Sequence, residues 1–250
     1  MNKGLVNKII PFSSVDGPGN RMAVFLQGCN FNCLYCHNPE TIKRCDHCFD
    51  RCIKSCPNLS SPKALFMDVD EIVKEVKRVK SFISGITVSG GECMLQAEFL
   101  KELFVEIKNM ELSIFVDTNG SVPFWENSEL TALMDKAMVD MKAFLPEEHI
   151  GLTGMDNKNV LKNIEYLASI DKLYELRTVI VPDILDNYFN VDAISKLIAA
   201  LNPDIRYKLI KYRPFGVRKE LMISQIPSDN MMKELVQISR DNGCINIVVT

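Results

Sequence analysis

Residues 25–39 read FLQGCNFNCLYCHNP and set Cys29, Cys33 and Cys36 in the spacing Cys-x3-Cys-x2-Cys. The run just upstream, Met22–Gln27 (MAVFLQ), has strand character and ends at the first cysteine. Three thiolates leave one iron of a [4Fe–4S] cube without a protein ligand, open to an external chelator. A second group follows, Cys45-x2-Cys48-x3-Cys52-x3-Cys56, with Pro57 directly after it. Four thiolates can close a site, as iron–sulfur and zinc sites both require. Cys93 and Cys244 stand alone, and a total of nine cysteines cannot pair completely. In a reducing compartment such clustering points to metal rather than disulfides.

The chain has 250 residues, 29 Lys and Arg against 32 Asp and Glu, 47% hydrophobic and 24% charged residues. That composition suits one globular domain with a small insert and excludes a disordered or fibrous chain. The net charge of −3 argues against a dedicated nucleic-acid binder. No apolar run approaches the roughly 20 residues that span a bilayer. The first residues lack a secretory pattern, so a cytoplasmic protein is expected.

Outward from the cysteines, strand-like runs alternate with amphipathic ones. Strands are expected at Met22–Gln27, Gly85–Ser89, Ser113–Asp117, Met138–Lys142, Glu175–Val181, Tyr207–Tyr212 and Cys244–Val249. Helices are expected at Val69–Phe82, Gln96–Met110, Ser128–Lys136, Val160–Ser169, Val191–Leu201 and Asp229–Arg240, with Asp68 and Ser228 as N-caps and Asp192 as a first-turn acid. The alternation implies an α/β fold with a parallel sheet, a partial (β/α)6-type barrel rather than a closed eightfold one. Residues 39–62 break the pattern and are too poor in apolar positions to build a core. They read as a cysteine-rich, ferredoxin-like insert, leaving 1–38 and 63–250 as the barrel.

Polar motifs follow the expected strands. They are Ser89-Gly90-Gly91-Glu92, Asp117-Thr118-Asn119-Gly120, Asp140 with Lys142, Arg177, and Tyr212-Arg213-Pro214-Phe215-Gly216. In such barrels the C-terminal strand ends form the active face. A carboxylate such as Glu92 suits an ammonium, glycines permit close backbone approach, and the arginine fork suits a carboxylate. The bland readings are a turn for Gly90–Glu92, an Asx turn for Asp117–Gly120 and an ion pair for Lys142 and Arg177.

Taken with their flanks, SVDGPGNRMAVFLQGCNFNCLYCHNPET resembles the radical S-adenosylmethionine (SAM) superfamily, in particular the glycyl-radical-enzyme activating enzymes, with SGGEC and KYRPFGVR similar to the YjjW-like branch. The resemblance implies an oxidoreductase that cleaves SAM reductively at a [4Fe–4S] cluster. The resulting 5′-deoxyadenosyl radical would take hydrogen from a backbone glycine of a partner enzyme. It implies Cys29, Cys33 and Cys36 as cluster ligands, with Tyr35 against the adenine. It implies Gly90, Gly91 and Glu92 at the methionine amino group, and Lys142 and Arg177 in contact with SAM. Asp117, Asn119 and Asp140, with Met138, would lie near the ribose and a monovalent cation, and Asp16-Gly17-Pro18-Gly19 near the glycine peptide. The resemblance further implies a second [4Fe–4S] cluster on Cys45, Cys48, Cys52 and Cys56, with Cys93 as the alternative to Cys56 for the fourth ligand, a flavodoxin or ferredoxin donor, and a monomer. Family members usually carry proline where Cys93 stands, and Arg213 replaces a histidine. The rival readings are a radical SAM enzyme acting on a small molecule, an activase of the anaerobic ribonucleotide reductase type, and a ferredoxin-like carrier or zinc module.

Overall fold

A computed structural model describes residues 2–45, 56 and 64–250. Cys48 and Cys52, and with them most of the expected insert, lie outside the described residues. The chain forms two compact units. The first contains Met1–Asn30, Asn38–Thr118 and Val122–Ala137, and the second contains Phe31–His37, Asn119–Ser121 and Met138–Thr250.

The first unit is built on β1 (Gly4–Ser13), β2 (Arg21–Leu26), β3 (Leu65–Met67), α1 (Val69–Val79), β4 (Gly85–Gly90), α2 (Ala97–Asn109), β5 (Ser113–Thr118) and α3 (Ser128–Leu133). Its strand order is β3-β1-β2-β4-β5. β2, β4 and β5 are parallel, with Leu26 opposite Gly90, while β1 and β3 add an antiparallel edge. The parallel strands are buried on both faces, which explains their continuous apolar runs. Asp68 caps α1 as expected. It accepts from the Glu71 amide while the Glu71 carboxylate accepts from the Asp68 amide, a capping box contributing about 1 kcal/mol.

β1 was not expected from the sequence. Pro11 interrupts its pattern, and two register irregularities, Val6/Lys8 and Ile10/Ser13, break the alternation that betrays a strand.

β6 (Lys136–Asp140) begins in the first unit and ends in the second. The second unit continues with α4 (Pro146–Thr153), α5 (Lys158–Ser169), β7 (Leu173–Ile180), α6 (Asn187–Leu201), β8 (Arg206–Lys211), α7 (Asp229–Asp241) and β9 (Ile247–Val249). β7, β8 and β9 are parallel. Among the described residues β3 pairs only with β1 and β9 only with β8, so each is an edge strand.

Two expectations are corrected here. α6 begins at Asn187, where Asp186 caps the Phe189 amide, so Asp192 lies past the first turn and pairs with Lys196 at 2.8 Å. The last strand, expected from Cys244, begins only at Ile247 and is half-exposed. Ser228 caps α7 as expected.

The Asp16–Gly19 loop packs at the N-terminal ends of β2, β4 and β5. Arg21 is 1% exposed. Its Nε donates to Thr87 Oγ1 at 2.8 Å, its Nη2 to the Ile86 and Ser113 carbonyls at 2.6 and 3.0 Å, and its Nη1 to the Pro18 carbonyl. Its guanidinium also stacks on Phe115, 4.3 Å from the ring centre. This locks the loop to the sheet roughly 16 Å, five strand residues, from the ends that carry the other motifs. The motif's local role is therefore a clamp, and its placement does not bring it to Gly90–Glu92.

Candidate functional site: a cysteine turn and the strand ends

In the first unit, β2 leads into Gly28 and Cys29. The Gly28 and Cys29 amides donate to the Thr41 and Ile42 carbonyls, both at 2.8 Å. Gln27, 1% exposed, ties the same strap down, its Nε2 donating to the Glu40 and Lys43 carbonyls at 2.6 Å each. The first cysteine and the approach to Cys45 are thus held by one backbone network. Cys45 and Cys56 are both half-buried.

β4 delivers Gly90, Gly91 and Glu92 beside that turn. The Gly91 amide donates to the Leu26 carbonyl at 3.0 Å, and the Glu92 amide to the Gly28 carbonyl at 2.8 Å. The glycines are needed for a reason other than the one the sequence suggested. A Cβ on Gly90 would stand 2.1 Å from the Leu26 carbonyl oxygen, and one on Gly91 2.2 Å from that of Gly28. The chain's own backbone fills the space.

Glu92 is fully buried. Its Oε1 accepts from the Met94 amide at 3.0 Å and the Thr118 hydroxyl at 2.8 Å. Asp117, on β5, accepts from the Ser89 hydroxyl at 3.0 Å. Cys93 is buried between these acids, its thiol 3.4 Å from the Asp117 carbonyl oxygen. Burial, then Glu92 and Asp117, hold that thiol well above its ordinary pKa, so Cys93 stays protonated.

In the second unit, the stretch carrying Cys33, Tyr35 and Cys36 docks on the end of α4. The Asn32 and Leu34 amides donate to the Thr153 and Leu152 carbonyls at 2.8 and 2.9 Å, satisfying acceptors that a helix end leaves open. His149 supports the same end, packing edge-on to Phe31 with ring centres 5.3 Å apart. It is a packing residue.

Tyr35 is buried among Ala143, Leu152, Val181 and Tyr212. Lys142 lies 5.7 Å from its ring centre and donates to Asp140 Oδ2 at 2.7 Å. Burial alone would lower the Lys142 pKa, but Asp140, Tyr35 and Cys33 carry it well above the ordinary value, so it remains an ammonium. Burial pushes the Cys33 thiol up to about 11, with Lys142 opposing.

Two other expected residues are held by local partners. Arg177 donates from Nε to Glu175 Oε1 at 2.5 Å and from Nη2 to Met138 Sδ at 2.9 Å. Asn119 accepts from the Ser121 amide and hydroxyl at 2.9 and 2.6 Å, the Asx turn of the bland reading. Among the described residues, no three His, Cys, Asp or Glu side chains gather closely enough to hold an ion. Cys29 belongs to the first unit, and Cys33 and Cys36 to the second.

The donor chemistry nevertheless suits a cluster and SAM. Thiols are soft iron ligands. Glu92 is a buried acid matched to an ammonium. The buried Tyr35 hydroxyl has no hydrogen-bond partner among the described residues, although such groups are almost always satisfied.

The sequence pattern of the Radical SAM superfamily matches residues 23–192. A pyruvate formate-lyase-activating enzyme of Streptococcus mutans is 33% identical over 85% of this chain and 79% of its own length. A Haemophilus influenzae protein assigned as a glycyl-radical enzyme activating enzyme is 31% identical over 98% of this chain and 95% of its own. Among solved structures, a domain of a pyruvate-formate lyase-activating enzyme from Bacteroides vulgatus superposes with a TM-score of 0.55 at 22% identity, over 67% of this chain and 99% of that one. No helix among the described residues is long and apolar enough to cross a membrane. Cysteine spacing, strand-end acids and these likenesses agree: the chain is an enzyme of the radical SAM superfamily and belongs to its family of glycyl-radical-enzyme activating enzymes.

Proposed function

We propose that this chain cleaves SAM reductively and uses the product radical to take one hydrogen atom from a backbone glycine of a partner enzyme. The observation that carries the reading is the group of buried Cys33 and Tyr35 with half-buried Lys142 and Asp140, where the tyrosine hydroxyl has no partner among the described residues and an ammonium stands beside a motif cysteine. Cys29, Cys33 and Cys36 would hold a [4Fe–4S] cluster. When bound, that cluster supplies the electron that breaks the S–C5′ bond of SAM, giving methionine and a 5′-deoxyadenosyl radical.

The chain's own residues bind and orient. Gly90 and Gly91 fix the backbone so that Glu92 is presented to the methionine ammonium. Asp117 is set by Ser89 for the ribose. Tyr35 offers a ring and a hydroxyl to the adenine, and its apolar surroundings exclude water. Lys142 holds positive charge beside Cys33 and opposes the charge that ligation builds there. Arg177 remains the candidate for the SAM carboxylate, positioned by Glu175. The Lys142 ammonium already neutralises Asp140, so geometry gives a monovalent cation at Asp140 the least support of the inherited features.

No general base is required, because a hydrogen atom rather than a proton leaves the glycine. A flavodoxin or ferredoxin would donate the electron, and Cys45, Cys48, Cys52 and Cys56 would hold the second cluster as relay or docking element. The chain would work as a monomer, with the glycine segment bound as an extended peptide.

The test is isotopic. The anaerobically reconstituted chain is given dithionite, SAM and a synthetic glycine-loop peptide deuterated at the glycine Cα. Deuterium is expected in 5′-deoxyadenosine. Vigorous SAM cleavage with no deuterium transfer from any glycine-loop peptide would favour a small-molecule substrate instead.

A further inference from the structure

The segment after β8 lies against the cysteine turn at three points, all within the second unit. Arg218 Nη2 donates to the Cys33 carbonyl at 2.8 Å and reaches the Asn32 carbonyl at 3.4 Å. His37 Nδ1 donates to the Phe215 carbonyl at 3.0 Å. Gly216, at φ +79°, approaches so closely that a Cβ there would stand 2.9 Å from the His37 carbonyl oxygen. The contacts with Cys33 and His37 bracket the Cys33–Cys36 turn at both ends.

The Cys33 carbonyl also accepts from the Cys36 amide at 3.2 Å, so it is the acceptor on which the turn closes. A guanidinium on that oxygen fixes the peptide plane between two expected ligands. Charge-assisted bonds of this kind are about twice as strong as neutral ones. Arg218 is half-buried, its Nε has no hydrogen-bond partner among the described residues, and the side-chain contacts it does make there are with the cysteine turn.

We infer that Arg218 is a positioning residue for cluster binding: it clamps the Cys33–Cys36 turn in its ligating shape and keeps a positive charge beside it. The inference rests on the reading that these cysteines hold a [4Fe–4S] cluster. Orienting residues around metal ligands typically change metal affinity 10–100-fold when removed.

The test uses the full chain, reconstituted anaerobically, as wild type, Arg218→Met and Arg218→Lys. Iron loss to a chelator is followed through the SAM-responsive EPR signal of the dithionite-reduced protein, which reports the SAM-binding cluster alone. The thermal midpoint of each iron-free protein is measured by circular dichroism. Arg218→Met is expected to lose that signal about tenfold faster than wild type. Arg218→Lys, which keeps a donor and the charge, should recover most of the difference, and the iron-free midpoints should stay together. Equal loss rates in wild type and Arg218→Met would overturn the clamp alone. Parallel falls in the iron-free midpoint with no rescue by lysine would reduce Arg218 to a structural residue and also overturn it. A wild type that never acquires a SAM-responsive signal would overturn the cluster reading and the clamp together.

Discussion

Replacing Cys33 by alanine is expected to abolish SAM cleavage while leaving the iron-free chain folded. Cys33 sits at the inner edge of the cluster formed by Tyr35, Lys142 and Asp140, 9% exposed. The substitution removes a single sulfur atom from a turn whose backbone is held by Arg218 and by the end of α4. The fold therefore loses little, and its thermal midpoint should move by a few degrees at most. On the proposed reading the chemistry loses a cluster ligand, and the described groups beside Cys33 are poor replacements. Besides Cys36, itself an expected ligand, they are an ammonium, a phenol held protonated by burial, and a carboxylate already paired with that ammonium. The variant should bind about four irons fewer than wild type, the content of one cube. 5′-Deoxyadenosine should fall to the level of the protein-free control. Retained cleavage would mean that Cys33 is not a ligand.

Gly90→Ala is the second change with a large expected effect, and it acts through the fold. Gly90 stands at φ +126°, where an L side chain is strained at a cost of about 1–3 kcal/mol. The new methyl would also meet the Leu26 carbonyl oxygen at 2.1 Å and the Leu26 nitrogen at 2.3 Å. Both are backbone atoms of β2, opposite Gly90 in the parallel register, so neither can swing aside as a side chain would. Overpacking adds about 1–3 kcal/mol more. The sum, roughly 2–6 kcal/mol, is a large part of a typical stability of about 5–15 kcal/mol. Urea unfolding should show it. SAM cleavage should fall with it, because the Gly91 and Glu92 amides that bond to Leu26 and Gly28 must also move. Gly151→Ala on α4 is the control. Nothing lies within 4 Å of a Cβ there, and alanine should be neutral or stabilise the helix by up to about 1 kcal/mol.

The parts legible in the sequence were those written in local pattern. Cysteine spacing, the runs that became β2, β4, β5, β7 and β8, and the caps Asp68 and Ser228 depend on neighbours within a few residues. β1 escaped because Pro11 and two irregularities erase its alternation. α4 escaped because its eight residues are too few to display a clear helical period. The glycines of Gly90–Glu92 were recognised for a ligand's sake, and only the packing of β4 on β2 shows that the protein's own backbone demands them. Arg218 stood in the sequence only as the last residue of KYRPFGVR, with no role attached to it. Its partner Cys33 is 185 positions away, and an isolated arginine in a loop looks like any surface charge. The Asp16–Gly19 loop shows the opposite limit, since its motif was recognised but its place at the far end of the strands was not.

The most direct measurement of the central claim is EPR of a glycyl-radical enzyme from the same organism after anaerobic incubation with the reconstituted chain, SAM and a low-potential reductant. The account predicts a glycyl-radical doublet on the partner, with one 5′-deoxyadenosine formed per radical and neither product with the Cys33→Ala protein. SAM cleavage at full rate, with no radical on the glycine loop of any such partner, would contradict it.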